Sequence, residues 1–202
     1  EQYSYRRSNA FEYIKKECKN VQNNVGLLDL STFAKYEISG EDSEKFLDRL
    51  CSNSIPKKEG SIILTHMLNK KGRIQSEVTI TRFSNNIFYV LSSTASELRD
   101  LDWFINNKEI NEKVVISNIS NNYGVLVLAG PESRSVLSQI ADCELDNNNF
   151  SWLTGKEISI NNIPVRALRI NYVGELGWEL HHPINEMEKL YDLIMSVGKK
   201  YK

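Results

Sequence analysis

The strongest constraint on the fold is a stretch that occurs twice. "YEISGEDSEKFLDRL" (36–50) and "LVLAGPESRSVLSQI" (126–140) both run strand, glycine, acid-Ser, then apolar positions in register. In the first, the alternation of "AKYEISG" (34–40) predicts a strand. "EDSEKFLDRL" (41–50) predicts a helix with acids in its first turn, where the helix dipole favours them. In the second, "YGVLVLAG" (123–130) predicts the strand. "PESRSVLSQI" (131–140) predicts a helix that opens on Pro131, at the position where a missing N–H costs nothing. A chain that begins the same supersecondary unit twice is committed to two similar halves.

The remaining elements extend this. Phe11, Ile14, Cys18 and Val21 predict a helix over about 9–25. "SIILTHML" (61–68) and "RIQSEVTITRF" (73–83) flank "NKKG" (69–72), a hairpin signal. "NIFYVLSS" (86–93) predicts a strand, "TASELRDLDWFI" (94–105) a helix and "KVVISNI" (113–119) a strand. In the second half "EISI" (157–160) and "PVRALRINYV" (164–173) flank the turn "NN", and the strand "GWELHHP" (177–183) and a helix over 185–198 follow. Each half reads β-α-β-β-β-α, and only the first closes with one more strand.

The expected fold class is therefore α+β. Duplicated split-βαβ (ferredoxin-like) halves at about 30–120 and 121–202 form antiparallel sheets backed by helices, within one domain over 1–202. The second half stops after its last helix. Its closing strand is expected beyond Lys202, the chain being C-terminally truncated, because an open sheet edge is a liability that domains cover.

Charge narrows the partners. Charged residues make up 25% of the chain and the formal net charge is −1, with Lys and Arg scattered among Asp and Glu. No basic stripe marks a polyanion site, which excludes nucleic acid. No apolar run approaches the ~20 residues needed to span a bilayer, so a membrane is not expected as a partner. "EQYSYRRSNAFEY" at the N-terminus has no apolar core and is not a signal peptide. It also lacks an initiator Met, as expected of a piece of a longer chain. Cys18, Cys51 and Cys143 are far apart and odd in number, without metal spacing. They are expected to be reduced structural thiols in a cytoplasmic compartment. His181 and His182 are adjacent on a strand and point to opposite faces, so no metal site is expected there.

Two stretches carry candidate chemistry. In "RIQSEVTITRF", Ile74, Val78 and Ile80 point one way, and Gln75, Glu77, Thr79 and Thr81 the other. That polar face is either solvated or lines a polar cavity. "INYVGELGWEL" (170–180) interrupts a strand with Gly174 and Gly177, which strands avoid, among Tyr172, Glu175, Trp178 and Glu179. Either it is a simple turn with solvated acids, or it bends the chain to bring an aromatic and a carboxylate onto a flat ligand. "GELG" opens into a strand, not a helix, which excludes a phosphate cradle at a helix N-terminus.

"VGLLDLSTFAKYEISGEDSEKFLDRL", "MLNKKGRIQSEVTITRF" and "YVGELGWEL", in this order and spacing, resemble the folate-binding aminomethyltransferase family. That family includes the T-protein of the glycine cleavage system and the C-terminal part of dimethylglycine and sarcosine dehydrogenases. "STFAKYEISG", "HMLNKKGRI" and "ELRDLDWF" lean to the dehydrogenase branch. The resemblance covers nearly the whole chain and implies the family's N-terminal folate-binding region, without the following arginine-bearing segment and the C-terminal barrel.

It also implies roles. Glu77 matches the carboxylate near the reactive nitrogens of tetrahydrofolate and would be the catalytic residue, a general base or electrostatic steering group. Thr79, Trp152, Tyr172 and Glu179 match folate-contacting positions, Tyr172 and Glu179 those that pack on and hydrogen-bond the pterin. The departures are Glu77, where Asp is usual, Ser76 before it, where the T-protein has Asp, and Leu64, where Tyr is common.

The implied function is capture of a one-carbon unit, from an N-methyl amine oxidised to an iminium, as 5,10-methylenetetrahydrofolate. The flavin (FAD) would sit on a separate domain. The alternatives are a stand-alone T-protein-like aminomethyltransferase with a lipoyl carrier protein as partner, and a non-catalytic folate-binding module. The implied compartment is the cytoplasm, or the mitochondrial matrix in a eukaryote.

Overall fold

A computed structural model describes residues 5–201. The first four residues of the opening stretch, and Lys202, lie outside the described residues. In chain order the elements are α1 (Phe11–Asn23), β1 (Gly26–Asp29), β2 (Ala34–Ser39), α2 (Ser43–Leu50), β3 (Ile62–Leu68), β4 (Ile74–Ser84), β5 (Ile87–Ser92), α3 (Glu97–Asn107) and β6 (Val115–Asn118). The second half continues with β7 (Tyr123–Ala129), α4 (Ser133–Leu137), β8 (Gly155–Ile160), β9 (Ile163–Leu168), β10 (Gly177–Pro183) and α5 (Met187–Gly198).

Two antiparallel sheets form, in the orders β3-β4-β5-β2-β6 and β8-β9-β10-β7-β1. They are the same sheet made twice, as the repeat predicts. The glycines that end β2 and β7 show it atom by atom. Gly40 N–H donates to Asn86 O just before β5 (3.0 Å), and Gly130 N–H to Leu176 O just before β10 (2.8 Å). Ser43 N–H then donates to Gly40 O and Ser133 N–H to Gly130 O. Both glycines take left-handed backbone, φ +119° and +128°. A Cβ on Gly40 would lie 2.1 Å from Lys113 O, and one on Gly130 2.5 Å from Asn24 O. Only glycine fits either place.

Lys113 leads into β6 and Asn24 leads into β1, which corrects one expectation. The place beside β7 is not left for a strand beyond Lys202. β1 takes it, antiparallel, with Gly26 opposite Ala129 and Asp29 opposite Leu126. A four-residue strand, GLLD, has too little pattern to register as one. It also comes before the half it completes, so a repeat read in chain order passes over it.

Alternation sets the layers. On β2, Tyr36 and Ile38 face α2 and α3, packing with Phe46, Leu47 and Phe104. On β7 and β10, Leu126, Leu128, Trp178 and Leu180 face α4 and α5, packing with Val136, Leu137, Leu190 and Ile194. The opposite faces meet each other through Ile62, Tyr89 and Leu91 against Leu168. Helix, sheet, sheet, helix is the resulting order. The two sheets are tied where Ile62 N–H donates to Leu153 O (2.9 Å) and Gly155 N–H to Gly60 O (2.7 Å). Gly155 is needed there, because a Cβ would come within 2.9 Å of the Thr81 Cγ2 methyl and 2.7 Å of Leu168 Cδ2.

The hairpin turns behave as their residues require. Asn161 and Asn162 both take positive φ, 49° and 66°, between the paired Ile160 and Ile163. The strand expected over 164–173 ends at Leu168 instead, and residues 169–176 form a loop. Asn171 builds that loop, its Oδ1 accepting from Val173 N–H (2.9 Å) and its Nδ2 donating to Glu175 O (3.2 Å). A side chain that serves its own backbone in this way competes with the strand ladder.

Candidate functional site

A cavity of about 890 Å³ opens between the two sheets. Its walls come from β3 and β4 (Leu64, Glu77, Thr79), the end of β5 and start of α3 (Ser92, Ser96, Arg99), Trp152, the 170–172 loop and Glu179 of β10. Glu77, Thr79, Trp152, Tyr172 and Glu179 all line it. Residues far apart in the chain thus converge on one space.

Each side chain arrives by a local device. Glu77 and Thr79 are two apart on β4 and share a face, opposite His66 and Leu64 of β3. The rest of that face does otherwise. Gln75 does not line the cavity, and Thr81 is buried between the sheets against Gly155. Ile74, expected on the apolar side, is 64% exposed where β4 runs out past the core. Glu77 stands at the rim. Its side chain is 59% exposed, and Oε2 lies 3.2 Å from His66 Nε2 directly across the hairpin.

Trp152 is held beside β3 by the hydrogen bonds that join residues 60–62 to 153–155, and stays largely exposed at the mouth. Tyr172 rides on the Asn171 loop, its ring edge-on to Phe33 at 5.6 Å. Partial burial, then the Glu179 and Glu77 carboxylates, push the Tyr172 hydroxyl up to about 12. Tyr172 and both acids line the same cavity.

The two glycines of "GELG" do different work. Gly174 turns through φ +81° in the open, where an added Cβ would meet nothing within 4 Å. Gly177 is wanted for packing, since a Cβ there would lie 2.6 Å from Leu128 O and 2.8 Å from Asn171 Nδ2. Neither glycine is among the residues lining the cavity. They shape the loop that delivers Tyr172 and start the strand that delivers Glu179. Glu175 does not line the cavity.

Glu179 is the deep member, 4% exposed. Its Oε2 lies 3.2 Å from His181 Nε2, and His181 Nδ1 lies 2.9 Å from the Tyr89 hydroxyl. Burial pushes the His181 imidazole below its ordinary value, against the pull of Glu179. Burial likewise pushes Tyr89 well up. Nearby, Arg166 Nη2 donates to Glu37 (3.0 Å) and its guanidinium lies about 5 Å from the Tyr89 ring. Charge is thus buried between the sheets in paired form. Sequence reasoning did not find Phe33, Asn53, Arg99, Asn171 or His181. Phe33, Arg99, Asn171 and His181 stood inside stretches already singled out, and only Asn53 stood outside all of them. Arg99 is the one Lys or Arg among the lining residues, with Nη2 donating to Ser96 Oγ at 2.7 Å.

The sequence and the fold match a known group. The model of the GCVT N-terminal domain matches residues 1–202. The chain belongs to the GCVT N-terminal domain family. It is 42% identical over 199 residues to a protein of Homo sapiens named dimethylglycine dehydrogenase, mitochondrial, covering 98% of this chain and 23% of that one. It is 29% identical over 192 residues to an aminomethyltransferase of Caldanaerobacter subterraneus subsp. tengcongensis, covering 95% and 51%. The glycine cleavage system aminomethyltransferase T of Bartonella henselae superposes with a TM-score of 0.77 at 21% identity, over 89% of this chain and 48% of that one. The fold is therefore that of the aminomethyltransferases. The chain spans about a quarter of the dehydrogenase relative's length. It is an aminomethyltransferase-like domain related to that dehydrogenase. Among the described residues, no helix is long and apolar enough to cross a membrane.

Proposed function

We propose that the cavity between the sheets binds tetrahydrofolate and holds it to accept a one-carbon unit from an N-methyl amine oxidised elsewhere, as in dimethylglycine or sarcosine dehydrogenase. The observation that carries this reading is the convergence of Glu77, Thr79, Trp152, Tyr172 and Glu179 on one cavity. The space suits a folate. About 890 Å³ lies within the range of small-molecule sites, with mostly apolar walls and a few placed polar groups. A pterin has a flat ring and a 2-amino-pyrimidinone edge whose two N–H groups match one carboxylate as a bidentate pair. Glu179 is that carboxylate, and among the described residues only His181 donates to it.

Tyr172 and Trp152 supply aromatic faces at the mouth, where they are still free to be covered. Glu77 stands at the rim, placed to steer or take a proton at the reactive nitrogens. The acceptor's own amines supply the nucleophile when bound. Arg99 lies on the same wall, a cation for the anionic tail. The flavin that oxidises the amine, and the amine itself, belong to a separate domain or subunit. In a eukaryote the setting would be the mitochondrial matrix. The 42% identity to the dehydrogenase, against 29% to the aminomethyltransferase, favours this branch over a lipoyl-dependent transfer.

The test is a titration of the chain with tetrahydrofolate under reducing conditions, followed by quenching of Trp152 fluorescence against a Trp152→Phe control. Saturable quenching that the control loses supports the reading. Absence of saturable heat or quenching up to millimolar ligand would overturn it.

A further inference from the structure

We propose that Tyr89 and His181 form a positioning relay that fixes the Glu179 carboxylate for a ligand edge with two parallel N–H donors; this rests on the folate reading above. The relay crosses between the sheets. Tyr89 comes from β5 of one, and His181 and Glu179 from β10 of the other. The Tyr89 hydroxyl, His181 Nδ1, His181 Nε2 and Glu179 Oε2 follow one another at 2.9 and 3.2 Å. Tyr89 and His181 are fully buried, and the chain ends at the cavity wall.

Donor and acceptor roles follow from the ends. A carboxylate only accepts, so His181 Nε2 carries the proton and donates to Glu179. Nδ1 is then the bare nitrogen and accepts from the Tyr89 hydroxyl. With the imidazole neutral and both nitrogens used, the ring has one tautomer and one orientation. Glu179 is held through Oε2, which still has lone-pair capacity, and among the described residues no hydrogen bond reaches Oε1. Two parallel donors from a ligand can therefore seat on both oxygens without displacing His181.

The neighbouring His182 is also buried but has no carboxylate partner, and its Nε2 has no hydrogen-bond partner among the described residues. His182 Nδ1 is satisfied by its own chain, at 2.9 Å from Leu180 O. His181 instead reaches from the sheet interior to an acid that faces the cavity. Its ring sits edge-on to Tyr89 (centroids 5.3 Å, 87°), a packing contact beside the hydrogen bond. Lys35 and Arg166, both positive, bear on it from the same interior layer and oppose its protonation.

The experiment has a ligand-free arm and a ligand arm. Nitrogen-15 NMR of the histidine rings, assigned by comparison with His181→Gln, reads the tautomer directly. The expected result is protonated Nε2 and bare Nδ1 in the free protein. Titration with tetrahydrofolate then compares wild type with Tyr89→Phe, which removes a single oxygen. The expected loss is about 3- to 10-fold in affinity, the effect of one ordinary hydrogen bond. His181→Leu should lose more, and His181→Gln, which keeps an N–H donor, should recover part of it.

Protonated Nδ1 would overturn the relay. So would wild-type affinity in Tyr89→Phe, or equal affinities of His181→Leu and His181→Gln. If wild type binds no folate, the functional reading fails by itself, while the tautomer still decides the relay.

Discussion

Glu179→Gln is the sharpest single perturbation of the proposed site. The side chain keeps its size and one oxygen becomes an NH₂ group. In the wild type Glu179 is 4% exposed and accepts from His181 Nε2–H at 3.2 Å, leaving the rest of its acceptor capacity toward the cavity. The amide has two ways to sit. With its NH₂ toward His181, two donors confront each other in a dry interior. With its oxygen toward His181, the NH₂ confronts one N–H of the pterin edge. Either way one hydrogen bond to a charged group is lost. Such a bond contributes about 1.5–3 kcal/mol, so affinity should fall roughly 10- to 150-fold. Calorimetry with tetrahydrofolate under reducing conditions measures it, with circular dichroism as the check on folding. Equal affinities for a folded Glu179→Gln and wild type would refute the reasoning and leave Glu179 as no more than a buried acid that satisfies His181.

Three further outcomes are expected. Glu77→Gln should leave tetrahydrofolate affinity near wild type but slow one-carbon capture by about 10²-fold, the loss of a general base; single-turnover capture with the amine-oxidising partner present measures this, and an unchanged rate removes Glu77 from the chemistry. Gly130→Ala should cost roughly 1–3 kcal/mol of backbone strain at φ +128°, and more from the contact with Asn24 O; urea melts measure it, and a loss under half a kcal/mol would contradict the repeat geometry.

The third concerns pH. Burial lowers the Lys35 ammonium to about 8, while its Nζ donates to Ser31 O, Phe33 O and Ser120 O. Between about pH 8 and the ordinary lysine range the unfolded chain binds more protons than the folded one, so this group's contribution to stability rises with pH there and is flat below it. The stability of wild type relative to Lys35→Met should therefore grow from pH 8 to 9.5 in urea melts; a constant difference would contradict the assignment.

Sequence by itself determined whatever rests on periodicity and on backbone rules. Alternation and spacing predict the frame of strands and helices in the two halves, because a buried face must repeat at the period of the element that carries it. Gly40 and Gly130 mark equivalent corners because no other residue takes that backbone against a carbonyl. Glu77 and Thr79 share a face because strand residues two apart always do. A resemblance to a family, written in three spaced motifs, supplied Glu77, Thr79, Tyr172 and Glu179, with Trp152 added from outside the motifs, and their convergence agrees with it.

What tertiary structure decided was everything that joins distant segments without leaving a pattern. β1 completes the second sheet from before the first half, since an edge is filled by whichever strand can reach it. The 164–173 run ends early because Asn171 turns the backbone back on itself, so Tyr172 arrives on a loop. Thr81 and Glu77 lie on one strand face, yet the close approach of Gly155 buries one and leaves the other at the rim. His181 reads as half of an unremarkable pair, and becomes a link to Glu179 only because Tyr89 of the opposite sheet meets its ring. A hydrogen bond between the sheets depends on ångströms of separation, and those are set by packing that no local stretch of the chain encodes.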